Sequence, residues 1–257
     1  MLREVNGVLT YAILYSLSMV VFFLIALWLC HKYKIRLRVG VALGVCYVSS
    51  MNTGARFLYD ILNSRFEILN YFDPAYYMKP GMWGGPLVYL AIATVGAILL
   101  VRDKKGTLDI MVMSLPVPMI LAKIACFVNG CCYGAVSNIM WAVKFPAGGT
   151  ERTAPPGVPL HPTQIYEILV LIIIIVVFLF LDKERWKGIL MAWFIALYGF
   201  GRFLAEFFRE PENLNRIIGT LTLSQLICFA AAFIASIALL AEWRYGTIAS
   251  LIKRIES

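Results

Sequence analysis

The sequence predicts an all-α polytopic membrane protein with seven transmembrane helices, and three observations predict it. Of its 257 residues, 61% are hydrophobic and only 15% are charged, against roughly 25% charged in soluble domains. Mean hydropathy is +0.79. Apolar runs near the ~20 residues needed to cross a bilayer recur along the chain, separated by short charged breaks. Such a composition excludes an ordinary water-soluble globule and a disordered tail. The six cysteines are scattered through apolar segments, which excludes a secreted disulfide scaffold and a cytosolic metal-cluster protein.

The spans fall at 8–30, 38–56, 84–101, 109–133, 164–181, 188–205 and 217–241. The first is roughly 23 residues long, lacks a basic start and shows no small-residue cleavage site before Cys30, so it is expected to stay attached. The breaks at 31–38, 102–105, 182–187 and the tail after 241 hold thirteen Lys and Arg against five acids, which is the whole of the +8 net charge. Basic loops stay on the cytoplasmic side. An outside N-terminus, a cytoplasmic C-terminus and an odd number of spans follow. The charge therefore needs no nucleic-acid partner. No repeat, low-complexity stretch or Pro/Gly-rich linker divides the chain, so residues 1–257 are read as a single seven-span membrane domain.

Between the second and third spans, 57–80 carries Phe57, Tyr59, Phe66, Tyr71, Phe72, Tyr76 and Tyr77 among few charges. That suits an outer interfacial segment lying in the headgroup layer. Just before it, Ser49-Ser50-Met51-Asn52-Thr53-Gly54-Ala55-Arg56 is too polar to face lipid. Arg56 reads either as an anion contact or as a side chain snorkelling to the headgroups.

Ionisable side chains at membrane depth are costly and usually mark a site. In the fourth span, Pro116 and Pro118 predict a kink. Beyond them the spacing places Lys123, Cys126 and Gly130 on one helix face. An ammonium beside Cys126 would favour its thiolate, although buried cysteines commonly serve as small apolar fillers. Cys126, Cys131 and Cys132 with His161 have the ligand types of a metal site, but the spacing argues against one. On a helix Cys131 and Cys132 diverge, no second cysteine pair follows, and the chain has only two histidines. A disulfide remains open, with partners unreadable from sequence. No metal and no cofactor are expected. In the sixth span, offsets of four and seven stack Arg202, Glu206 and Arg209 on one face. A structural ion pair is one reading. The favoured one is a phosphate clamp of two guanidinium forks.

Three stretches, Gly201-Arg202-Phe203-Leu204-Ala205-Glu206-Phe207-Phe208-Arg209-Glu210-Pro211, His161-Pro162-Thr163-Gln164-Ile165-Tyr166-Glu167 and Phe127-Val128-Asn129-Gly130, resemble the prolipoprotein diacylglyceryl transferase family in content, order and spacing. Looser likeness lies in Gly54-Ala55-Arg56-Phe57-Leu58-Tyr59, in Asp109 and in Trp141-Ala142-Val143-Lys144-Phe145-Pro146, so the resemblance covers about 50–215. It implies a seven-span enzyme of the bacterial inner membrane with an outside N-terminus. It also implies a reaction in which the diacylglyceryl group of phosphatidylglycerol moves to the thiol of a lipobox cysteine in a prolipoprotein. A thioether forms and glycerol phosphate leaves. The implied partners are phosphatidylglycerol, the lipobox segment and membrane lipids, with no nucleic acid.

Displacement at carbon by sulfur needs a thiolate, a base to make it and cations for the departing phosphate. Arg202 and Arg209 suit the last role. The family signature G-R-x-x-N-F-x-N-G-E-x-x-G is matched here by Ala122 to Gly134, with Lys123 for Arg, Cys126 for Asn and Cys131 for Glu. Lysine keeps the charge and loses the planar fork. The family's His-Gly-Gly motif, which supplies a candidate base, reads Trp83-Gly84-Gly85, and tryptophan accepts no proton. The candidate bases become His161, ranked first, then Glu206 or a Cys126 thiolate. Asn129, Gly130, Gly134, Gln164 and Tyr166 match motif positions and are expected to line the headgroup pocket. Gly84 and Gly85 would allow close backbone approach. The catalytic set is thus His161, Arg202 and Glu206. The substrate-binding set is Arg56, Gly84, Gly85, Lys123, Cys126, Asn129, Gly130, Gly134, Gln164, Tyr166 and Arg209. Competing readings are a related lipid-headgroup transferase with another acceptor, an enzyme using Cys126 or Cys131 as a covalent nucleophile, and a non-catalytic lipid-binding membrane protein.

Overall fold

Long apolar stretches can be satisfied in lipid only by pairing their backbone groups internally, which makes them helices. The computed structural model describes residues 2–54, 57, 60, 84–146, 153–181, 186–209, 216–218 and 221–255, and it is mostly helical. In chain order come α1 (Leu2–Lys32), α2 (Leu37–Ser49), a π-helical turn (Ser50–Gly54), α3 (Gly84–Leu100), α4 (Lys104–Met113) and α5 (Pro116–Asn129). Then follow α6 (Thr163–Phe180), α7 (Leu190–Glu206) and α8 (Leu223–Ile255). Two short antiparallel pairs interrupt them: β1 (Val143–Lys144) with β2 (Pro159–Leu160), and β3 (Arg216–Ile218) with β4 (Leu221–Thr222).

Among the described residues, four helical stretches are long and apolar enough to cross a membrane: Leu9–Lys32, Lys104–Asn129, Thr163–Phe180 and Leu223–Tyr245. Leu37–Ser49 and Val88–Leu100 are shorter apolar helices, and α7 has 17 residues. The expected span boundaries are corrected in three places. The α-helix of the second span ends at Ser49 and continues as the π turn. The fourth span stops at Asn129 instead of 133. The last helix starts at Leu223, because Thr222 and Gln225 form a reciprocal cap: the Thr222 N–H donates to Gln225 Oε1 (2.9 Å) and the Gln225 N–H to Thr222 Oγ1 (3.1 Å). The expected proline kink is a break. α4 closes at Ser114 and α5 restarts with Pro116 in its first turn, where a missing N–H costs nothing.

The chain forms two compact units, residues 19–115 and residues 1–18 with 116–257. In the first, Phe22 stacks on Tyr47 with ring centroids 3.9 Å apart, and Tyr89 meets both edge-on. Gly40 and Gly44, one turn apart on α2, let α1 approach, since a Cβ on Gly44 would lie 2.1 Å from the Phe23 ring. Phe57 is exposed and Asp60 buried; the remainder of the expected interfacial segment at 57–80 lies outside the described residues, as do Arg56 and Trp83. Gly84 and Gly85 open α3 in this unit.

In the second unit, α7 lies against α6 through Gly201, whose Cβ would meet Val170 at 2.5 Å, and against α8 through Gly199, whose Cβ would meet the Cys228 carbonyl at 2.9 Å. The β1–β2 pair covers a small core of Phe145, Ala154 and Leu160, with Phe127, Tyr133, Val143 and Val158 packed against it.

Candidate active site

The site is built where α5, α6 and α7 approach one another in the second unit. Glu167 on α6 stands at its centre, with its side chain only 1% exposed. A lone buried carboxylate in an apolar helix is expensive unless paired, and three cations meet it. Lys123 Nζ on α5 lies 2.7 Å from Oε2, Arg209 Nη2 donates to Oε1 at 3.2 Å, and Arg202 Nη1 on α7 lies 3.6 Å from Oε1. The Tyr198 hydroxyl donates to Oε2 at 3.2 Å. Glu206 is the second anion, 2.7 Å from Arg202 Nη1 and 3.6 Å from Arg209 Nε. Three cations thus share two carboxylates, leaving one positive charge.

The pairing is electrostatic more than directional. Among the described residues, Arg202 Nη1, Glu206 Oε2, Arg209 Nε and Gln164 Oε1 are buried without an aligned hydrogen bond, even where the partner charge is close. Buried donors left unmet cost free energy. Both guanidinium groups already lie against the Glu206 carboxylate, at 2.7 and 3.6 Å.

Above the ion cluster runs the loop that leaves α5. Gly130, in the left-handed region at φ +74, ends the helix. The Gly130 N–H donates to the Phe127 carbonyl (3.1 Å) and the Cys131 N–H to the Cys126 carbonyl (3.0 Å), the pair of bonds of a Schellman cap. Two residues on, Cys132 also has positive φ, at +62. The first turn of α6 holds this loop: Gln164 Nε2 donates to the Cys131 carbonyl (2.7 Å) and Thr163 Oγ1 to the Cys132 carbonyl (2.6 Å). Gly134 bridges Arg209, and its N–H donates to the His161 carbonyl. A Cβ there would lie 2.2 Å from the Phe208 carbonyl oxygen, so only glycine fits.

His161 is half-buried beside this loop. Its Nδ1 is 2.9 Å from the Tyr166 hydroxyl, and Trp141 Nε1 donates to that hydroxyl at 3.0 Å. Phe208 packs on the imidazole with centroids 5.0 Å apart. Burial pushes the His161 pKa below its ordinary value of 6.5, which leaves the ring neutral at pH 7. The Cys132 thiol is held well below its usual range, first by hydrogen bonds from the Cys126 and Cys131 thiols and then by the charges of Lys123 and Arg209.

Lys123, Arg202, Glu206 and Arg209 thus meet around Glu167, Cys126, Gly130, Gly134 and Gln164 build or hold the loop after α5, His161 with Tyr166 stands beside that loop, and Asn129 ends the helix. Three expectations change. Gly130 does not share a helix face with Lys123 and Cys126, because it lies past the helix end. The Lys123 ammonium is engaged by Glu167. Cys131 and Cys132 do not diverge on a helix, because α5 ends at Asn129; their Sγ atoms and that of Cys126 all lie within 4.8 Å of one another. Glu167 received no role from the sequence, although an acid in an otherwise uncharged span was its signal. Tyr198 and Trp141 carry no such signal, since aromatic side chains are ordinary in membrane helices and at their ends.

Comparison with known proteins agrees with this geometry. A family model described as prolipoprotein diacylglyceryl transferase matches residues 4–241. Among curated proteins, the chain is 32% identical over 184 residues to a phosphatidylglycerol–prolipoprotein diacylglyceryl transferase of Geobacter sulfurreducens, covering 66% of this chain and 68% of that protein. Proteins of the same name from Brucella anthropi (28% over 209 residues, 74% of this chain and 71% of theirs) and Nitrobacter winogradskyi (29% over 209 residues, 74% and 69%) are also similar. No solved structure matches. Arg202, Glu206, Arg209 and the His161-to-Glu167 stretch, which carry the ion cluster, lie inside the matched region, and the chain belongs to the prolipoprotein diacylglyceryl transferase family.

Proposed function

We propose that this protein transfers the diacylglyceryl group of phosphatidylglycerol to the cysteine thiol of a prolipoprotein lipobox, releasing glycerol phosphate. One observation carries the reading: Lys123, Arg202 and Arg209 converge on Glu167 and Glu206 with one positive charge in excess. The lipid phosphate answers that excess charge. Arg202 and Arg209 then stabilise the charge that grows on the departing phosphate oxygen, in a site from which bulk water is excluded. Lys123 contributes a point charge, and Glu167 with Glu206 keeps the guanidinium planes in place.

His161 is the base of this account. With Nδ1–H directed at Tyr166, which also accepts from Trp141, Nε2 is left to take the acceptor's proton. The sulfur lone pair forms the new C–S bond as the C–O bond to phosphate breaks, and that electron pair leaves on glycerol phosphate. Gly130 and Gly134 let backbone close on the headgroup, and Asn129 and Gln164 supply polar contacts to it. The protein acts as a single seven-span domain of the bacterial inner membrane, N-terminus outside, with its basic loops supporting that orientation.

Complementation tests this directly. Cells depleted of their own diacylglyceryl transferase and supplied with this chain should accumulate thioether-modified lipoproteins by mass spectrometry. Unmodified prolipoproteins in cells that express the protein in the membrane would contradict the assignment.

A further inference from the structure

The loop after α5 concentrates half of the protein's six cysteines at one point. Cys126 sits in the last turn of the helix, and the Schellman cap at Gly130 turns the chain back so that Cys131 follows at once. Cys132 then adopts φ +62, a conformation a residue with a Cβ takes only at some cost and which commonly marks a functional constraint. That backbone lets two consecutive cysteines aim at the same place, with Sγ atoms within 4.8 Å of each other and of Cys126. Thr163 and Gln164 grip the carbonyls of Cys132 and Cys131, so the arrangement is held from outside the loop.

We propose that Cys126, Cys131 and Cys132 form a three-thiolate site for a thiophilic divalent cation of the zinc class, with a fourth position open to an incoming thiol. The spacing needs only a slight contraction to reach zinc-to-sulfur lengths of ~2.3 Å. Three protein ligands and one vacancy is the pattern of catalytic zinc; structural zinc is closed by four.

The site has a use that rests on the function proposed above. The lipobox thiol, bound at the fourth position, loses its proton to water or His161 and is held as a thiolate. Its lone pair attacks the glyceryl carbon, the C–O bond breaks onto glycerol phosphate, and the cation keeps its oxidation state. This would supply thiolate activation in a chain that has Trp83 where the family places a histidine.

The test uses the full-length protein in detergent, reduced, stripped of metal and kept anaerobic. Titration with cadmium(II) as an optical probe should give saturable thiolate-to-metal absorption at one ion per chain, and zinc(II) should displace it. Zinc should also shield Cys126, Cys131 and Cys132 from maleimide. Cys132→Ser should weaken binding by about tenfold or more, while Cys46→Ser leaves it unchanged. Cys126→Ser serves as a second variant, with folding checked by circular dichroism. The proposal is overturned by the absence of saturable absorption, by full labelling of the three thiols under excess zinc, or by binding indifferent to Cys132→Ser and Cys126→Ser. Zinc binding by protein that makes no thioether upholds the site and removes the transferase reading. Thioether formation by protein that binds no zinc does the reverse.

Discussion

Lys123 on α5 meets Glu167 on α6 at 2.7 Å, Nζ to Oε2, and this pair ties the helix that ends in the thiol loop to the helix that follows His161. The same carboxylate receives Arg209 and lies 3.6 Å from Arg202. Glu167 is therefore the organising anion of the cluster. Its removal leaves three cations with Glu206 as their one carboxylate, which is worse than removing the whole group.

Glu167→Ala should accordingly cost about 3–5 kcal/mol of stability and abolish transfer, since the guanidinium groups lose their common support. Thermal unfolding in detergent checks the first part. A variant that melts with the wild type would show that the ion pairs contribute nothing structural.

Arg202→Lys separates charge from shape. Lysine keeps the cation and loses the two-pronged donor set, so turnover should fall by about 10²-fold, the loss typical of one removed oxyanion donor. KM for phosphatidylglycerol should change less than kcat, because the stabilised charge grows on the departing phosphate. A loss confined to KM would place Arg202 in ground-state binding alone.

The helical, membrane-type character of the chain and four of the five charged residues of this cluster, all but Glu167, were legible in the sequence. Arg202, Glu206 and Arg209 fall on one helix face by spacing, and their depth in an apolar span marks them. What periodicity could not give was the partner on another helix: Glu167 pairs with residues 35 to 44 positions away, and helical spacing reports only neighbours three or four apart. The three thiols were misread for a local reason. Treating 109–133 as continuous helix made Cys131 and Cys132 diverge, whereas Gly130 at positive φ ends α5 one residue before them. The Asn129-Gly130 pair closing an apolar run was the available signal.

The pH profile should report His161. Its pKa is depressed below 6.5 by burial, so the neutral ring persists at pH 7 and is lost only as pH drops through the folded value. Because the unfolded chain takes the proton first, the contribution to stability is present above 6.5 and declines as pH falls. The rate should be level near neutrality and fall on the acid side. His161→Gln should remove that acid limb and lower turnover by about 10²-fold or more. An acid limb unchanged in the variant would assign the base elsewhere.

Gly134→Ala should disrupt the site without touching a charge. Its Cβ would lie 2.2 Å from the Phe208 carbonyl oxygen and 2.7 Å from the His161 Cβ. Backbone must shift, moving His161 and Arg209 together. The expected loss of activity is about tenfold or more, with destabilisation of ~1–3 kcal/mol from overpacking. Wild-type activity in Gly134→Ala would show that this close approach is incidental.

The most direct measurement is incubation of the purified protein with labelled phosphatidylglycerol and a lipobox peptide, following thioether peptide and glycerol phosphate together, with Arg202→Ala in parallel. The two products should form in equal amounts in the wild type and fail together in Arg202→Ala. Glycerol phosphate without thioether, or equal yields from the variant, would contradict the account.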